Sequence, residues 1–321
     1  MPAELETGDR ALLTQLSTAS RTEERNWRTV DIDVISTEEV LRLLNAEDAA
    51  VAQAVASVLP VLATVVDTVV KRLRAGGRVH YFGAGTSGRL GILDAAEVIP
   101  TFGLKPGVFV AHQAGGHHAL LTAVEDVEDD EELGAADAKA VCAADVVVGI
   151  TASGRTPYVA GALRSARSVG ALTVLVSSNP AAPLAKLADR GVLVDTGPEA
   201  IAGSTRLKAA TAQKMVLNAL STAAMVRLGR TYSNLMASMS GTNAKLRQRQ
   251  LTILREASGA GDAVCRAELE RCHGDLRLAL LCLLSGLEPA AAAGALTDAG
   301  GSVREALSRA GLAERTWAGS T

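Results

Sequence analysis

Five short runs of mostly apolar, often β-branched residues recur along the middle of the chain, at 78–82, 108–111, 146–150, 172–176 and 192–194. Unbroken apolar runs of this length suit parallel strands covered on both faces. Helical patterns lie between them, around 87–98, 117–126, 134–143, 157–169 and 182–189. The alternation predicts an α/β fold: a doubly wound five-stranded parallel sheet with helices on both faces. Upstream, Ser36 and Glu39 form a capping box that opens a short helix through Leu44. Asn45 then caps a long helix in which Val51, Val55, Val58, Leu62, Val65, Val69 and Leu73 keep helical spacing, ended by Gly76 and Gly77. A long Ala-rich helix is expected over 204–228, stopping at Gly229. No strand pattern follows residue 240, and 243–313 reads as a bundle of short helices punctuated by Gly259, Gly274, Pro289 and Gly300. Residues 1–35 are polar and irregular and read as an extended arm. The expected division is an arm with a short helix (1–45), an α/β domain (46–240) and a C-terminal helical module (241–321).

Two of the strand-to-helix turns carry chemistry. The first strand runs into Gly83-Ala84-Gly85-Thr86-Ser87-Gly88-Arg89, and the third into Thr151-Ala152-Ser153-Gly154-Arg155-Thr156-Pro157. Each turn offers hydroxyls, glycines that let a ligand approach the backbone, and a helix N-terminus with unpaired N–H groups, a combination that binds anions. If the strands take the flavodoxin-like order 2-1-3-4-5, strands 1 and 3 flank the topological switch point and both turns face one crevice. The first turn also fits GxGxxG. A dinucleotide reading needs a carboxylate at the end of the second strand, and that strand ends Val110-Ala111-His112-Gln113.

Composition narrows the ligand. Apolar residues are 48% and charged residues 21%, a globular balance, and the net charge is −3 with no basic stripe for nucleic acid. Aromatics are 2%, so sugar recognition by stacked rings is not expected. The longest apolar run, Leu278 to Leu284, is far short of the roughly 20 residues of a membrane span. The polar N-terminus lacks a signal-peptide pattern, so the cytoplasm is the expected location. Cys142, Cys265, Cys272 and Cys282 show no CxxC pairing and the histidines complete no zinc pattern. Cys272-His273 comes nearest to a metal site and reads as helix packing beside a surface imidazole. No metal and no cofactor are expected.

The two turns resemble those of the sugar isomerase (SIS) phosphosugar-binding domain. The stretch from Gly83 to Glu97, with Pro100 to Gly103, is similar to the signature of the N-acetylmuramic acid 6-phosphate etherases. So are Thr22-Glu23, Arg25-Asn26, Asn45 to Asp48, Ala114 to Gly116, Ala152 to Tyr158, Gly203 to Lys214, Asn234 to Met236 and Asn243 to Leu246. The glucokinase regulatory protein is a non-catalytic relative of the same domain. The resemblance implies cleavage of the D-lactyl ether of N-acetylmuramic acid 6-phosphate to N-acetylglucosamine 6-phosphate and D-lactate, by elimination and then water addition. Peptidoglycan recycling and amino-sugar catabolism are the setting it implies. It carries over Glu97 and Glu128 as the catalytic pair. Gly85, Thr86, Ser87, Gly88, Ser153, Gly154, Arg155 and Thr156 become the phosphosugar contacts, with Glu199, Ser204 and Lys208 as further substrate contacts. Two carboxyls in opposite protonation states meet the needs of the reaction. If Leu90 and Leu93 face the sheet, Glu97 is half-buried, which favours the protonated acid that lactate departure requires. Glu128, in a more solvated acidic run, suits the base at C2. The family usually has Gly where this chain has Asp126 and Ala210. A homodimer is expected, through apolar faces of the helices at 47–75 and 204–228. A phosphosugar isomerase and a non-catalytic phosphosugar sensor are the alternative readings.

Overall fold

The computed structural model describes residues 21–122, 124, 126–241 and 243–312. Five parallel strands, β1 (Val79–Gly83), β2 (Phe109–Gln113), β3 (Val146–Thr151), β4 (Leu172–Ser177) and β5 (Arg190–Leu193), lie in the order β2-β1-β3-β4-β5. This is the doubly wound order read from the sequence. β1 and β3 run in register from Val79↔Val146 to Gly83↔Ile150, and β3 and β4 from Val146↔Leu172 to Thr151↔Ser177. The central strands β1 and β3 are buried at every position, as continuous apolar runs require.

The helices before the sheet differ from the expectation. α1 (Thr37–Ala56) runs straight through Asn45, opened by the Ser36–Glu39 capping box, and α2 (Leu59–Arg74) follows after a 61° bend. Pro60 sets that break: it has no N–H to give, and its ring would strike the carbonyl of Ala56 four residues back. The described part of the N-terminal segment is not an extended arm. It is a series of turns with Thr22, Asn26 and Thr29 buried, and Thr29 Oγ1 donates to the carbonyl of Ala200 at 2.8 Å. Residues 1–20 of the expected arm lie outside the described residues.

Between the strands stand α3 (Gly85–Phe102), α4 (Glu131–Asp137) and α5 (Pro157–Ser168). The helix expected over 117–126 is only a 3₁₀ turn, Gly116–Leu120. Arg89 takes the carbonyls of Ala119 and Leu120 at 2.8 and 2.9 Å, which a continuing α-helix would need for itself. α4 starts earlier than expected because Asp130 caps it, accepting from the Leu133 N–H at 2.8 Å. The segment 182–189 holds a 3₁₀ turn, Pro183–Leu187. α6 (Lys208–Arg227) follows the last strand.

The chain divides into two compact units, with boundaries inside α3 after Asp94 and inside α6 after Leu220. The first unit holds most of the sheet. One of its cores packs Phe82, Val147, Tyr158, Val159, Leu163 and Leu175 together. The second includes α7 (Ala244–Ser258), α8 (Asp262–Arg271), α9 (Leu276–Ser285), α10 (Pro289–Asp298) and α11 (Val303–Arg309) around Leu254, Leu276, Leu280, Leu281 and Val303. Asn243 and Asp275 cap α7 and α9, and left-handed Gly259 and Gly286 end them. Among the described residues no single helix is long and apolar enough to cross a membrane.

Candidate active site

β1 and β3 are neighbours, so the turns that leave their C-terminal ends stand side by side at the switch point of the sheet. In the first turn Gly85 is left-handed (φ 53°) and opens α3, Thr86 is half-buried, and Ser87 is buried. Gly88 is fixed by space: a Cβ there would strike the Gln113 side chain and sit 2.5 Å from the Gly83 carbonyl. The second turn is tied by hydroxyls. Thr151 Oγ1 lies 2.8 Å from Thr156 Oγ1 and accepts from the Gly154 N–H at 3.2 Å, while Ser153 Oγ accepts from the Arg155 N–H at 3.2 Å. Thr156 precedes Pro157 at the start of α5 and makes no side-chain cap; in the first turn of that helix Pro157 has no N–H and the Tyr158 N–H is given to the Glu128 carbonyl at 3.0 Å. Arg155 is half-buried. Asn179 Nδ2 donates to the Ser153 carbonyl at 2.8 Å and Ser177 Oγ to the Ala152 carbonyl at 3.1 Å. These two supports, one on β4 and one just beyond it, had no signal in sequence beyond a polar strand end.

Glu128 is exposed and lines a pocket of about 420 Å³ with Gly85, Arg89, Gln113, Asp126 and Asp129. Its backbone is anchored, the carbonyl accepting from the Tyr158 N–H at 3.0 Å. The first turn and Glu128 are therefore brought together within the first unit; Thr86, Ser153 and Thr156 do not line this pocket. Asp126 has φ 68°, the left-handed region that favours glycine.

Glu97 is not half-buried. It is exposed, on the part of α3 that belongs to the second unit. The buried row of α3 is Ser87, Gly88, Gly91, Asp94, Ala95 and Val98, while Leu90 is half-buried and Leu93 is 50% exposed. Tyr81 and Ile150 fill the space beneath the helix, and a Cβ at Gly91 would meet them at 3.1 and 3.2 Å. Small residues therefore face the sheet, and the leucines with Glu97 turn outward. Asp94 is held beneath α3 by Tyr81 Oη at 2.9 Å and Asn218 Nδ2 at 2.7 Å.

Glu199 and Lys208 are buried. Glu199 is fully buried, and its two oxygens accept from the Lys208 and Ala209 N–H groups at 2.9 Å, capping α6. Burial pushes its pKa up, against those two donors and the Lys208 charge. Lys208 Nζ, 2% exposed, is 2.6 Å from Glu47 Oε2, and Arg28 forks onto the same carboxylate at 2.5 and 2.8 Å. The Arg28 hydrogen bonds, helped by Lys208 and opposed by burial, hold Glu47 down at about 2. These groups hold the start of α6 to α1. Ser204 is half-buried in the turn before α6.

Comparison with known proteins decides the family. A protein of Thermobifida fusca named N-acetylmuramic acid 6-phosphate etherase is 59% identical over 264 residues, 82% of this chain and 87% of that one. The chain belongs to the N-acetylmuramic acid 6-phosphate etherase family. Proteins of the same name from Klebsiella aerogenes and Rubrobacter xylanophilus are each 49% identical, over 89% of this chain and 96% and 95% of theirs. The SIS domain model matches residues 118–223, and that of the glucokinase regulatory protein N-terminal SIS domain matches 61–167. Membership in the etherase family makes the protein a carbon–oxygen lyase, and the isomerase and sensor readings are not favoured.

Proposed function

We propose that the protein cleaves the D-lactyl ether of N-acetylmuramic acid 6-phosphate, giving N-acetylglucosamine 6-phosphate and D-lactate. The observation that carries this reading is the convergence of Gly85 and Arg89 of the first turn with Glu128 on one pocket, in a chain 49–59% identical to etherases along most of its length. The phosphate is held by the turns, through Thr86, Ser87, Ser153, Thr156 and the N–H groups of two helix starts. The open-chain sugar has an aldehyde at C1, which acidifies the proton at C2. Glu128 removes that proton and Glu97 protonates the departing lactate oxygen at C3. Water then adds at C3, and a proton returns to C2.

The protein is further proposed to act in the cytoplasm, in peptidoglycan recycling, as a homodimer. Leu41, Leu59 and Leu93 are large apolar residues exposed on the helices of the first unit, and a second copy would cover such side chains. Incubation with N-acetylmuramic acid 6-phosphate should release D-lactate. The unphosphorylated sugar should be a very poor substrate, since each lost hydrogen bond to a charged group costs about 1.5–3 kcal/mol. Comparable turnover of the two sugars would mean that the turns do not hold a phosphate.

A further inference from the structure

Three of the four cysteines lie in the second unit, and two of them meet. Cys272 closes α8 and Cys282 sits on α9, 2% and 5% exposed, with their sulfurs 3.9 Å apart. Glu268, one turn before Cys272 on α8, brings Oε1 to 3.6 Å from the Cys272 sulfur. One donor atom from each residue falls within a 4.8 Å group. His273, the neighbour suggested by the sequence, is not in this group; its backbone is left-handed (φ 53°).

The spacing has a chemical meaning. Zinc bonds of about 2.3 Å to sulfur and 2.0–2.2 Å to oxygen, at tetrahedral angles, put two sulfurs about 3.8 Å apart and a sulfur and an oxygen about 3.5 Å apart. The distances found, 3.9 and 3.6 Å, match these two tetrahedral edges. The second oxygen of Glu268 is steadied by Arg271, 3.3 Å away, an outer partner of the kind that orients a metal-binding carboxylate. The Glu268 side chain is 13% exposed, more than either cysteine. Burial pushes the Cys272 thiol up to about 12, with the Cys282 thiol and the Glu268 carboxylate adding to it.

We propose that Glu268, Cys272 and Cys282 form a site for one thiophilic divalent cation of the zinc class, stapling the end of α8 to α9. Binding forms two metal–sulfur bonds and one metal–oxygen bond; the two thiol protons pass to solvent and nothing is oxidised or reduced. The role proposed for the site is structural, and lactate release should not depend on its occupancy.

The test uses the full-length protein, reduced and freed of metal, titrated with cobalt(II) and then with zinc. One cobalt per chain should give a sulfur-to-cobalt charge-transfer band in the near ultraviolet, which zinc abolishes. Zinc should also slow thiol labelling of Cys272 and Cys282 and raise the Tm. Glu268→Gln, which keeps both thiols, should weaken zinc by about 10–100-fold, the usual scale for a lost supporting contact, or more. Cys272→Ser with Cys282→Ser should remove the band. If the double variant does not fold, the Glu268→Gln titration and the labelling of the unaltered protein decide. Absence of the charge-transfer band, zinc binding undiminished by either variant, or labelling unaffected by zinc would overturn the proposal. So would a pair that closes to a disulfide under mild peroxide while binding no metal.

Discussion

Replacing Glu47 by Gln separates the framework role of the Arg28–Glu47–Lys208 cluster from a role in catalysis. The Glu47 carboxyl is held at about 2 where 4.5 is usual. A shift of that size corresponds to about 3 kcal/mol of stability at neutral pH. The carboxylate and Lys208 are 5% and 2% exposed, but the Arg28 side chain is 65% exposed, so water screens its share and about 2 kcal/mol is expected. The sign follows from the direction. A lowered pKa means that the unfolded chain binds the proton more tightly, so the contribution is complete above 4.5 and is lost as pH falls from 4.5 towards 2. Urea unfolding of both proteins across this range is the assay. Glu47→Gln should be about 2 kcal/mol less stable at neutral pH, and the gap should close through that window. A gap that ignores pH, or is absent at neutral pH, would refute the reasoning. A Lys208→Met variant with unchanged stability and a raised KM would return Lys208 to the substrate.

Asp126→Gly should make the protein more stable by about 0.5–1 kcal/mol, because the left-handed backbone suits glycine; a lower Tm would contradict this. The two glutamates should separate by their effect on C2 exchange. Glu128→Gln should abolish both solvent exchange at C2 and lactate release, while Glu97→Gln should stop lactate release and keep some exchange. Each loss should be about 10²–10⁴-fold, and the reverse pattern would exchange the two roles.

The doubly wound sheet was legible because the five apolar runs alternate with helical patterns, and β1 and β3 carry the two Gly/Ser/Thr-rich turns at their ends. The apolar spacing from Val51 to Leu73 continues across the break at Pro60, and spacing alone does not register a missing N–H. The condition that Leu90 and Leu93 face the sheet fails for a related reason. Leu90 and Leu93 are the larger apolar residues, yet Tyr81 and Ile150 leave room only for Gly91 and its small neighbours. Glu47 lies far from Glu199 and Lys208 in sequence, and only the fold brings its carboxylate to the start of α6 in one buried cluster. Asp126 is the opposite case. Its departure from the family's glycine was visible at once, and the left-handed backbone supplies the physical reason for that glycine.

The most direct test of the central claim is the reaction of N-acetylmuramic acid 6-phosphate in ¹⁸O-labelled water. Elimination breaks the bond between C3 and the lactate oxygen, and water then adds at C3. The label should appear at C3 of N-acetylglucosamine 6-phosphate, with none in the D-lactate hydroxyl. Label in that hydroxyl would mean displacement at the lactyl carbon and would contradict the account.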